Sequence, residues 1–214
     1  METLAKLFEE TLKDVYFAEK QIIKLLPKMA KKAKTPKLKQ AFEEHLEQTK
    51  GQVQRLDQIF KLLGRKSSGK ECPALLGLIE EAEGLMSETK DPTVLDAGLI
   101  GSAQAVEHYE IARYGTLRAW AEQLDMPEAA KLLEATLKEE KTTDEKLTKL
   151  AMNGLNAAAD EGEHAGRGTS AKSAAAKSEA RNTTKTAAAR TKTAATKATG
   201  ASLKTASKPT ARKK

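Results

Sequence analysis

Apolar residues in this chain recur at alternating steps of three and four along four long runs, and five acidic residues fall on those same apolar stripes. The first stripe is Phe8, Leu12, Val15, Glu19, Ile22 and Leu26, and the second is Phe42, Leu46, Thr49, Val53, Leu56, Phe60 and Leu63. The third reads Ile100, Ala103, Glu107, Glu110, Tyr114, Leu117 and Ala121, and the fourth Ala130, Leu133, Leu137, Glu140, Asp144, Leu147 and Ala151. This spacing places each set on one face of a helix and predicts an all-α core. Alternating β-branched runs and Asn-Gly or Asp-Gly hairpin signals are missing from this region.

Helix boundaries follow from proline. A first helix is predicted over 2–33, interrupted only by Pro27, and Thr35-Pro36 then opens a second that runs to about Gly64. Asp91-Pro92 opens a third that ends near Leu124, and Pro127 a fourth that fades near Gly154. The connection over 65–91 contains a short amphipathic helix from Pro73 to Thr89. Two short-turn helix pairs joined by one long crossover resemble the ferritin-like four-helix bundles.

Charge divides the 214 residues in two. Residues 1–164 carry 24 Lys+Arg against 29 Asp+Glu, a net of −5, whereas residues 165–214 carry 13 Lys+Arg and only Glu179, a net of +12. We expect a bundle over 1–160 and a disordered basic tail over 161–214. From Gly166 onward Leu203 is the only large aliphatic residue and no aromatic occurs. Such a sequence cannot offset the ~1–2 kcal/mol per residue of backbone ordering entropy. Its spaced cations and loose Ser-Ala-Ala-Ala-Lys and Thr-Ala-Ala-Ala-Arg repeats resemble linker-histone tails. They suit non-specific neutralisation of nucleic-acid phosphates, and the alternatives are a solubilising role or an acidic protein partner.

Cys72 is the single cysteine, which precludes an intramolecular disulfide or a thiolate cage. Charges at Glu2, Lys6, Glu9 and Glu10 interrupt any signal-peptide core, and no apolar run approaches the ~20 residues of a membrane span. The expectation is a cytoplasmic protein, nucleoid-associated through its tail, with no membrane partner.

The inward acids Glu19, Glu107, Glu110, Glu140 and Asp144 carry the functional argument. An ionised carboxylate loses several kcal/mol on burial unless something pairs with it. With the turn between the third and fourth helices at Asp125, Glu110 lies 15 residues before it and Glu140 15 after, while Glu107 lies 18 before and Asp144 19 after. These side chains therefore share one level of an antiparallel pair. A first turn near Lys34 to Pro36 brings Glu19 level with Thr49 and Gln52. No basic residue occupies any stripe. An oxygen-rich layer of this kind suits iron or manganese, as one ion or two, and Glu19, Gln52, Glu107, Glu110, Glu140 and Asp144 are the candidate ligands. His45, about two turns from this layer, and His108, turned about 100° from Glu107, are expected to be surface or packing residues. Tyr16, Tyr109 and Tyr114 are read as core aromatics, and Cys72 as a small loop or core residue.

Ala18-Glu19-Lys20-Gln21, His45-Leu46-Glu47-Gln48-Thr49, Val106-Glu107-His108-Tyr109-Glu110 with Tyr114-Gly115-Thr116-Leu117, and Glu139-Glu140-Lys141-Thr142-Thr143-Asp144 resemble the YciE/YciF family of ferritin-like bacterial stress proteins. The resemblance spans about residues 3–155. It implies a ferritin-like fold, a homodimer and a metal site. The wider di-iron pattern takes Glu, Glu-x-x-His, Glu and Glu-x-x-His from successive helices. Glu19, Glu107 and Glu140 match it, and Glu110 is an added acid. Thr49-x-x-Gln52 stands in place of the first Glu-x-x-His, and Glu140-x-x-Thr143 followed by Asp144 in place of the second. Two functions follow as expectations: a stress protein handling iron or manganese and peroxide near DNA, or a non-catalytic structural or DNA-compacting protein with a degraded site.

Overall fold

The computed structural model describes residues 2–161. The tail expected over 161–214 lies, apart from Glu161, outside the described residues.

Helix α1 spans Leu4–Lys32, and the Thr3 hydroxyl caps it by accepting from the Lys6 amide at 3.2 Å. Each of the next four helices opens on a proline, which has no N–H to leave unpaired in a first turn. These are α2 (Pro36–Leu62), α3 (Pro73–Glu88), α4 (Pro92–Gln123) and α5 (Pro127–Leu150). Asp91 caps α4, its Oδ1 accepting from the Thr93 and Val94 amides at 2.7 and 3.1 Å. Gly64 takes φ +64° just past the end of α2, and Asp125 takes φ +54° in the α4–α5 turn, a left-handed conformation that aspartate tolerates better than most residues. After α5, residues Ala151–Leu155 form a π-helical turn broken at Asn153 and Gly154, the latter at φ +120°, and a short helical stretch follows over 156–161. No strand occurs among the described residues.

The four long helices form a square whose sides are α1–α2, α2–α5, α5–α4 and α4–α1. α3 lies on α4 and α1, as a crossover helix must when it carries the chain to the far side of the bundle. Gly98 lets it approach closely, since a Cβ there would sit 2.8 Å from Leu85 Cδ1. Asp96, buried on α4, accepts from the Lys34 and Thr35 amides at 2.8 Å each and ties the α1–α2 turn to the second helix pair.

The α1 and α4 stripes are buried at every predicted position. In α2 the inner face instead runs through His45, Thr49, Gln52, Leu56 and Ile59, leaving Leu46 and Val53 partly exposed on the flank. The expected phase is therefore off by one residue at two points. In α5 the face passes through Glu140, Thr143 and Leu147, so Asp144 is displaced to the edge with 22% of its side chain exposed. The step of three is the cheaper choice there, because a hydroxyl that can hydrogen-bond costs far less to bury than another carboxylate.

The apolar interior is divided in two. One cluster joins Ile22, Leu26, Leu38, Phe42, Leu99 and Leu147, and the other Phe8, Leu12, Leu56, Phe60, Leu117 and Leu133. Between them lies a polar layer.

Candidate metal centre

Five side chains of the layer are nearly fully buried charged or imidazole groups: Glu19 on α1, His45 on α2, Glu107 and Glu110 on α4, and Glu140 on α5. One ligand-type atom from each of His45, Glu107, Glu110 and Glu140 falls within 4.8 Å of the others. His45 Nδ1 is 3.1 Å from Glu107 Oε1, and its Nε2 is 3.4 Å from Glu140 Oε2. Both of these carboxylate oxygens and Nε2 nevertheless lack the alignment of a hydrogen bond.

The structure thus brings Glu19, Gln52, Glu107, Glu110 and Glu140 into one layer and leaves Asp144 at its rim. Asp144 accepts from Gln104 Nε2 at 2.9 Å and meets the exposed His108 at 3.3 Å. His45 corrects the sequence expectation: it is 2% exposed and projects into the carboxylates. Steps of four and three from His45 to Thr49 and Gln52 put all three on one face, and that spacing is the signal that finds it. Ranking Leu46 above His45 by hydropathy hid it. Cys72 is buried, as one of its two expected placements has it, and its Sγ lies 3.0 Å from the Tyr109 hydroxyl.

Part of the layer is held by fixed hydrogen bonds. The Tyr114 hydroxyl donates to Glu19 Oε1, and Thr49 Oγ1 donates to the His45 carbonyl at 2.9 Å. Gln52 Nε2 donates to Glu140 Oε1 and, at 3.2 Å, to Glu139 Oε2. Outside the layer Arg55 pairs with Glu139, with Nη1 2.9 Å from Oε2, and donates to Thr136 Oγ1 at 2.8 Å. That guanidinium is engaged outside the layer.

Burial is the main influence on the carboxyl groups, and their mutual repulsion adds to it. Desolvation and the Glu140 charge push Glu19 up to about 8, against the opposing hydrogen bond from Tyr114. Desolvation and Glu140 hold Glu107 well above the usual carboxylate range, and desolvation with Glu19 does the same to Glu110. The buried Tyr114 hydroxyl is raised for the same reasons.

The donor set fits a metal ion. With the carboxyls ionised, eight buried atoms of the layer have no hydrogen-bond partner among the described residues: Glu19 Oε2, His45 Nε2, Gln52 Oε1, both oxygens of Glu107 and of Glu110, and Glu140 Oε2. Without a cation, shared protons between Glu19 and Glu110 and between Glu107 and Glu140 relieve part of this. A native interior leaves few such atoms, and a group left this way costs ~1–3 kcal/mol. Within this layer His45, Glu107, Glu110 and Glu140 lie close enough to one another to hold a cation.

Comparison with known proteins agrees with this architecture. A family described as a domain of unknown function, DUF892, matches residues 3–160. The chain belongs to the DUF892 family. Among its relatives, YciF of Escherichia coli strain K12 is 49% identical over 161 residues, which cover 75% of this chain and 97% of that one. The crystal structure of that stress protein superposes with a TM-score of 0.70 at 50% identity, covering 73% of this chain and 99% of its own. YcfI of Rhodopseudomonas palustris, described provisionally as a structural protein, gives a TM-score of 0.68 at 51% identity over 69% of this chain and 94% of its own. No helix among the described residues is long and apolar enough to cross a membrane.

Proposed function

We propose that this DUF892 protein is a metal-binding stress protein that handles iron or manganese, together with peroxide, in the neighbourhood of DNA. The observation that carries the reading is the convergence of partnerless buried oxygens and one imidazole in a single layer. Carboxylates with a histidine suit iron and manganese better than softer metals. A bound redox metal would supply electron transfer to peroxide. The chain's own residues fix that site: Tyr114 orients Glu19, Gln52 orients Glu140, and two apolar clusters exclude water from either side. The description of E. coli YciF as a stress protein supports the same reading. The basic sequence over 165–214 is the natural means of staying near DNA, and a homodimer is the proposed assembly.

One observation favours a non-catalytic structural role. Gln52 is a neutral amide that occupies an oxygen of Glu140, where a further ligand would strengthen the site. Peroxide consumption by iron- or manganese-loaded protein, compared with metal-free protein and with the Glu107→Gln/Glu140→Gln variant, separates the two. Metal-dependent turnover lost in the variant supports the first reading. Stoichiometric metal without turnover supports the second.

A further inference from the structure

The lysines of this acidic bundle are concentrated at one corner. From Lys20 to Phe42 the chain has eight lysines and no acidic residue, so the rest of residues 1–164, with 16 Lys+Arg against 29 Asp+Glu, carries a net −13. Six of the eight, Lys28, Lys31, Lys32, Lys34, Lys37 and Lys39, sit in the last turns of α1, the α1–α2 turn and the first turn of α2, and all are exposed. Lys28 pairs with Glu83 at 2.6 Å and Lys39 with Glu43 at 3.9 Å. The other four have no carboxylate within 4.0 Å among the described residues.

Helix stability explains only part of this placement. Cations near the end of α1 complement its dipole, but Lys37 and Lys39 lie in the first turn of α2, where positive charge is unfavourable and where the helix itself has no acidic residue, the Asp96 carboxylate of α4 being the acid at its start. Mutual repulsion adds to that cost. The opposite end of the bundle mixes signs, with Lys61, Lys131 and Arg118 among Glu122, Glu128 and Glu134. The π-helical turn after α5 packs at this same end, with Ala151 and Leu155 in the apolar cluster of Ala30, Leu38 and Leu95.

We propose that the α1–α2 corner is a phosphate-contacting surface that binds the backbone of double-stranded nucleic acid. The proposal rests on the tail's part in the function above and adds to it a contact made by the folded bundle. Exposed cations clustered within a few helical turns, four of the six without a carboxylate partner and Lys32 among them donating to the Met86 carbonyl at 3.4 Å, are the electrostatic footprint of backbone contact. Anionic lipid is the competing occupant, since Val94 and Met152 are exposed apolar residues at the same end. Two isolated side chains make a poor anchor.

The test is the salt dependence of binding to a mixed-sequence DNA duplex, measured by fluorescence anisotropy with the full chain. In Lys31→Gln/Lys34→Gln/Lys37→Gln/Lys39→Gln, if about three phosphate contacts are lost, the slope of log affinity against log salt becomes shallower by about 2.7, from roughly 0.9 per contact. The milder Lys34→Gln/Lys37→Gln shows about half that change and serves if the quadruple variant misfolds. Lys61→Gln/Lys66→Gln/Lys131→Gln, at the other end, keeps the wild-type slope. A wild-type slope in both corner variants overturns the corner and leaves the tail reading intact. Salt-dependent binding that survives glutamine replacement of all thirteen lysines and arginines over 167–214 overturns the tail reading and supports the corner. Loss of binding to phosphatidylglycerol vesicles in the corner variants, with the DNA slope unchanged, overturns the proposal in favour of lipid.

Discussion

His45 stands between Glu107 and Glu140, with one ring nitrogen 3.1 Å from the first carboxylate and the other 3.4 Å from the second. It supplies the only nitrogen donor among the four clustered ligand-type residues. A divalent metal a hundredfold above its dissociation constant adds about 2.7 kcal/mol to stability. In His45→Ala the affinity falls at least about tenfold, so the metal-induced stabilisation at the same concentration drops by about 1.4 kcal/mol or more. Differential scanning calorimetry with and without manganese measures it, and an undiminished shift contradicts the role.

The metal-free bundle responds to pH in a direction set by its raised carboxyls. Glu19 moves from an ordinary 4.5 to about 8 in the fold, and Glu107 and Glu110 move the same way. The native state therefore holds protons that the unfolded chain releases, and unfolding free energy falls as pH rises. Stability from Glu19 is complete below about pH 4.5 and is lost as the pH passes through about 8. Each such carboxyl contributes a slope of about −1.4 kcal/mol per pH unit within its window. Urea titrations of metal-free protein between pH 5 and 8.5 should show the decline, and saturating metal should remove it by holding the carboxylates ionised.

Replacing Glu107 and Glu140 together by Gln removes charge from the layer without changing its shape. The metal-free melting temperature of the double variant exceeds that of the wild type, by a margin that widens above pH 7, and metal no longer raises it. A variant that still gains stability with manganese would place the cation elsewhere.

Tyr114→Phe leaves Glu19 Oε1 without its donor. The loss of a buried hydrogen bond to a carboxyl group costs about 1–3 kcal/mol in the metal-free protein. The same variant raises the Glu19 pKa further, because the Tyr114 hydrogen bond is the largest influence lowering it. The decline with pH should accordingly shift upward in this variant, a readout that simple loss of packing would not produce.

Most of the fold was legible because proline marks the start of four helices and the stripes of α1 and α4 are aliphatic on either side of their acids. Equal residue counts from Asp125 also set Glu110 and Glu140 level, since both α4 and α5 are regular up to the layer and rise equally per residue. α2 was harder to phase. Its inner face carries His45, Thr49 and Gln52, three polar residues, beside the more hydrophobic Leu46 and Val53, so hydropathy pointed to the wrong face where the site begins. Asp144 failed for a related reason: steps of three and four fit equally well after Glu140, and only packing shows that Thr143 turns inward. Asp96 gave no signal at all, because its partners are backbone amides 61 and 62 residues away.

The central claim is that the buried layer binds a metal through these side chains. Crystals grown with iron or manganese, and diffraction measured on both sides of that metal's absorption edge, test it directly. The account predicts an anomalous-difference peak within coordination distance of His45, Glu107, Glu110 and Glu140, absent from crystals of Glu107→Gln/Glu140→Gln. Featureless anomalous maps in the layer, from protein shown to be folded and metal-saturated in the drop, would contradict it.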